Sequence, residues 1–171
     1  MNSQTIPTGV DLQVATNVAA WNQLNSIVQV HHVDSNYFFK GMTVIHPELE
    51  CTGPAEYDLQ TAFEQWPYEQ QKLETEKGNV SYNYLKNTNT LASCIGIDDL
   101  FAFQAKGVVL YRRLYKGKAI LGWKSVAKDS YGNLFVPFLY EGVSDDVEIG
   151  LLCLNLNFGK EYITLLFKKV A

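Results

Sequence analysis

Five strand-like runs separated by turn-like connectors occupy the end of the chain, and they constrain the fold more than any other feature. They fall near 108–115, 118–127, 133–140, 147–156 and 161–170, joined through Lys116-Gly117, Asp129 to Gly132, Glu141 to Asp146 and Asn157 to Lys160. Connectors this short join antiparallel neighbours, because parallel strands need a crossover of about a dozen residues or more. The runs VEIGLLCLNL and YITLLF are apolar on both faces, which a sheet covered on both sides explains. The pattern predicts an α+β fold: a C-terminal antiparallel β-meander of about five strands packed with one or two helices from the N-terminal half. Trp123, Leu110, Leu121, Leu152, Leu154 and Phe167 are its expected core.

The covering helices are sought upstream. Residues 1–10 read as a flexible arm, and 11–171 as a single α+β domain. Asp11 can cap a helix over 11–29 whose Val14, Val18, Trp21, Leu24 and Val28 form one apolar stripe. Asn36 to Ile45 is rich in aromatic and β-branched residues and reads as a strand. A second helix is expected from Ala55, broken at Pro67 and ending at Gly78.

With 171 residues, 47% of them hydrophobic and 19% charged, the chain suits one domain with a large core and excludes disorder or a coiled coil. The net charge of −4 hides an asymmetry: residues 1–100 carry 4 basic and 12 acidic side chains, residues 101–171 carry 10 and 6. Cys51, Cys94 and Cys153 are odd in number and without CxxC spacing, and the N-terminus lacks a basic, apolar leader. A soluble protein of the cytoplasm or another reducing compartment, with no signal peptide, is the expectation.

No motif fixes a reaction. His46-Pro47-Glu48 has the H-x-E of zinc nucleobase deaminases but not their later P-C-x-x-C. His31, His32 and Asp34 sit where a helix C-terminus favours histidine. Asp98-Asp99 and Asp145-Asp146 read as turn carboxylates. A thiol enzyme would have to assemble its site from scattered residues, around His46, Cys51 and Cys94. No catalytic residue, metal or cofactor is assigned.

The segment 106–128 stands out, with seven Lys or Arg and no acidic residue. Folded as a hairpin about Lys116-Gly117, it would place Tyr111, Arg113, Tyr115, Lys118 and Lys124 on one face and apolar residues on the other. That face is the candidate ligand-binding surface, suited to an anionic ligand, an acidic protein surface or nucleic acid. The first functional expectation is therefore a non-enzymatic binding or assembly protein, which a homo-oligomer would also satisfy. Thr52-Gly53-Pro54-Ala55, followed by Thr61-Ala62-Phe63, resembles a short segment of actinoporin-type pore-forming proteins. That resemblance implies a β-sandwich with an N-terminal amphipathic helix and a lipid-binding surface. The polar face of 11–29 lacks the Lys and Arg of interfacial helices, so a membrane is not the expected partner.

Overall fold

The computed structural model describes residues 26–66 and 76–169. The expected helix over 11–29 lies outside them except for its end, where Ile27–Gln29 is strand β1, paired antiparallel with β3 (Glu56–Asp58). Between these lie the short helix α1 (Ser35–Phe38), where a strand was expected, and strand β2 (Thr43–Val44). Asp34 caps α1 by accepting the Asn36 amide, so Asx capping wins locally over the β propensity of the aromatic run. The helix expected from Ala55 is replaced by β3 and β4 (Phe63–Gln65). Its continuation lies outside the described residues up to β5 (Glu76–Lys77). Helix α2 (Gly78–Asn87) then begins at the glycine expected to end one.

Helices α3 (Ile97–Ala105) and α4 (Val108–Tyr115) follow, then strands β6 (Ala119–Leu121), β7 (Ala127–Lys128), β8 (Leu134–Glu141), β9 (Val147–Cys153), β10 (Asn157–Phe158) and β11 (Tyr162–Phe167). The α+β class and the mostly antiparallel sheet stand as the sequence implies. The main sheet has the order β2-β7-β8-β6-β11-β4, with β9 along the other side of β8. The β8–β9 hairpin is the expected one, registering Phe138 opposite Gly150. The sheet is not a simple meander: β6 pairs β8 past β7, and β11 runs parallel to β6, with Tyr162 opposite Ala119.

The first expected strand, 108–115, is α4. VVLYRRLY supports both periods, but the helical stripe Leu110, Tyr111, Leu114 and Tyr115 packs on Phe103 and its neighbours, leaving Val109 and Arg113 outside. Gly107, at φ +82, supplies the left-handed turn into the helix. Arg112 and Arg113 then fall in its last turn, where the dipole favours cations. The hairpin about Lys116-Gly117 does not form.

The core is otherwise close to expectation. Trp123, Leu110, Leu121 and Leu154 are buried, and Leu152 and Phe167 are half-buried. Trp123 Nε1 donates to Thr164 Oγ1 at 2.7 Å, so its one polar atom is satisfied inside. Among the described residues no helix is long and apolar enough to cross a membrane.

Candidate functional site

A cleft holding about 110 Å³ of open space forms where four segments meet: Val30 and His32 after β1, the turn Leu49–Ala55, the start of α3 at Gly96–Asp99, and Lys124-Ser125. Pro47 opens a short 3-10 turn ending at Leu49. The chain then passes through Cys51 at φ 59, a left-handed conformation that is uncommon for a residue with a side chain. Thr52 Oγ1 holds this turn by donating to the Leu49 carbonyl at 2.7 Å. At the start of α3, Asp99 reaches back to accept the Gly96 amide at 2.8 Å. Asp98 and Asp99 both occupy the first turn, where the helix dipole favours carboxylates.

Three side chains from three of these segments converge at the mouth. Cys51 Sγ lies 2.8 Å from His32 Nδ1 and 3.5 Å from Asp98 Oδ2. His32 Nδ1 lies 3.2 Å from the same Asp98 oxygen. His32 and Cys51 are exposed, while Asp98 is buried and its Oδ1 accepts the Val33 amide at 2.9 Å.

Deeper groups complete the lining. Ser125 Oγ donates to Glu50 Oε1 at 2.7 Å and accepts the Ile97 amide at 2.8 Å. Burial pushes Glu50 above the usual carboxylate range, against the opposing effect of the Ser125 hydrogen bond. Asp99 accepts the Tyr57 hydroxyl at 2.8 Å. Burial raises its pKa also, opposed by the hydrogen bonds from Gly96 and Tyr57. Lys124 is only 3% exposed. Its ammonium stands 5.5 Å from the Phe167 ring centre, and no side-chain hydrogen bond or ion pair reaches it among the described residues. Desolvation pulls it below the ordinary lysine value, against the attraction of Asp99 and Glu50.

The five basic-aromatic residues of the expected hairpin do not share a face. Tyr111 is buried, its hydroxyl directed at the carbonyls of Lys118 and Leu139. Lys124 lies in the cleft, and Arg113 is exposed on the outer side of α4. Only Tyr115 and Lys118 remain together, with Lys116, lining an open groove of about 360 Å³ beside β4 and β11 that contains no carboxylate. Arg112, another cation of the basic segment 106–128, is paired with Glu141 and Asp145.

The scattered thiol site is also rearranged. His46 does not meet a cysteine: its Nε2 is 2.7 Å from the Tyr82 hydroxyl and its Nδ1 is 3.3 Å from Glu48. Cys94 is fully buried, and burial pushes its thiol up to about 12, which keeps it protonated and inert. All three cysteines are free thiols. Of the suspected residues only Cys51 stands in a cleft, and its partner is His32. The pairing spans 19 residues and depends on the β1–β3 ladder, so spacing could not reveal it.

The arrangement is not that of a nucleophile triad. A triad uses opposite imidazole nitrogens for the nucleophile and the carboxylate, whereas here both face Nδ1. Desolvation and the adjacent Asp98 carboxylate also push the Cys51 thiol up, which disfavours the thiolate.

No family model, curated protein or solved structure matches this chain.

Proposed function

We propose that the protein is a hydrolytic enzyme for a small anionic substrate, working in the cleft between Cys51 and Lys124. The observation that carries this reading is Lys124. The side chain is buried, yet its ammonium has no hydrogen-bond partner among the described residues, which is costly, and it lines a cleft from which a ligand oxygen can reach it. Lys124 would meet the substrate's negative charge and stabilise charge developing on it in the transition state. Glu50, held by the Ser125 hydroxyl in the same cleft, would take a proton from an attacking water. The open space suits a small substrate.

The test is turnover of a panel of small carboxylate- and phosphate-bearing esters by wild type and by Lys124→Met. Turnover of at least one substrate, with kcat/KM reduced at least tenfold in the folded variant, is the expected result. No turnover across the panel, or turnover indifferent to Lys124→Met, overturns the reading.

A second reading, binding of an acidic partner, is favoured by one observation: the groove lined by Tyr115, Lys116 and Lys118 has no carboxylate to repel an anion. It keeps the anionic-partner expectation on part of the surface first considered for it.

A further inference from the structure

We infer that His32, Cys51 and Asp98 form a binding site for a divalent ion of the zinc class, open on one side to the cleft. The inference rests on three donor atoms and stands independently of the reaction proposed above.

The first argument is metric. Zinc bonds of about 2.3 Å to sulfur and about 2.0–2.2 Å to nitrogen and oxygen, at tetrahedral angles, separate the donor atoms by about 3.3–3.6 Å. The observed edges are 3.2 Å for His32 Nδ1 to Asp98 Oδ2, 3.5 Å for Cys51 Sγ to Asp98 Oδ2, and 2.8 Å for Cys51 Sγ to His32 Nδ1. Two edges are already those of a tetrahedral face. The third needs to open by about 0.7 Å, and it joins the two exposed side chains, which have room to move.

The second argument is chemical. Thiolate, imidazole and carboxylate together suit zinc and its neighbours, whereas magnesium and calcium take oxygen donors. Asp98 is held from behind by the Val33 amide, the kind of outer support that aims a ligand. Three protein ligands leave a fourth position for water, the pattern of catalytic rather than structural zinc sites.

The third argument is charge. The cleft gathers the carboxylates of Glu50, Asp98 and Asp99 against the single ammonium of Lys124. A divalent cation relieves that excess. On binding, the Cys51 S–H bond breaks, its proton goes to solvent and the thiolate electron pair goes to the metal, with no change of oxidation state.

The test uses the full chain, stripped with a chelator and titrated with Zn²⁺ and then with Co²⁺. We expect one equivalent of either ion per chain, with proton release and a rise in Tm. The Co²⁺ form should show a thiolate-to-cobalt charge-transfer absorption that Cys51→Ser abolishes. His32→Ala should weaken Zn²⁺ binding at least tenfold. Both variants change exposed side chains, so they separate ligation from folding in a way that Asp98→Asn does not. Sub-stoichiometric binding, or a cobalt spectrum that survives Cys51→Ser, overturns the inference. Ester turnover by the fully stripped protein would also overturn any role for the ion in the cleft while leaving the enzyme reading intact. Stoichiometric metal without turnover does the reverse.

Discussion

Gly78 opens α2 against the ring of Phe158, and adding one methyl there tests the packing directly. A Cβ at Gly78 would stand 2.4, 2.6 and 2.9 Å from three carbons of that ring, closer than such atoms approach in real proteins. The ring has little room to retreat, being fully buried, with ring centres 6.2 Å from Trp123 and 5.2 Å from Tyr162. Overpacking of this kind costs about 1–3 kcal/mol. Alanine recovers at most about 1 kcal/mol from its better helix propensity, and less at a helix's first residue. Gly78→Ala should therefore destabilise the fold by about 1–2 kcal/mol. Urea unfolding followed by tryptophan fluorescence should show a lower midpoint at unchanged slope. In a Phe158→Leu background the penalty should shrink, giving a coupling of about 0.5 kcal/mol or more. A Gly78→Ala protein as stable as wild type, or penalties that simply add in the double variant, would refute the reasoning.

Two further outcomes follow from the charges. Because desolvation lowers the pKa of Lys124 from 10.5, its contribution to stability is present above that ordinary value and is lost as pH falls through the depressed one. Lys124→Met should thus be at least as stable as wild type at pH 7, and the gap should narrow as pH approaches 10.5 in parallel urea titrations; a variant clearly less stable at neutral pH would make Lys124 a structural residue. The Arg113→Glu, Lys118→Glu double variant should fold normally, since changes at exposed or half-exposed positions cost about 0.5 kcal/mol or less. If the groove beside β11 takes an acidic partner, the double variant and Lys118→Glu alone should both elute earlier than wild type from a heparin column, and a Lys118→Glu protein with unchanged salt-dependent elution would remove that reading.

The sequence revealed the fold where periodicity and turn chemistry agreed. The runs that became β8, β9 and β11 are bounded by Asp, Asn and Gly turns and were legible, as was the buried Trp123. At 108–115 a period of two and a period of 3.6 fit the same eight residues. The choice between them was made by Phe103 and the other residues of the core, which a local pattern does not contain. Lys124 stands out in the sequence by its charge alone, and its burial is a tertiary fact. Cys51 meets His32 rather than His46, because that contact is made by a strand ladder and a left-handed turn. The run Thr52-Gly53-Pro54 after it was the available hint that the chain bends sharply there.

The position of β11 sets an order on how the molecule comes together. Its Leu165 lies opposite Gln65, a hundred residues earlier, and its Tyr162 lies beside Ala119. Neither β4 nor β6 can find this neighbour until residue 167 has been made, so the β6-β11-β4 end of the sheet is the last part to close. Pairings this distant along the chain fold slowly. A nascent chain that stops short of them presents two unpaired strand edges and the apolar surface that β11 covers. Such an intermediate is a substrate for chaperones or a seed for aggregation. Truncation just before Tyr162 should consequently cost far more than the six residues of the strand would suggest.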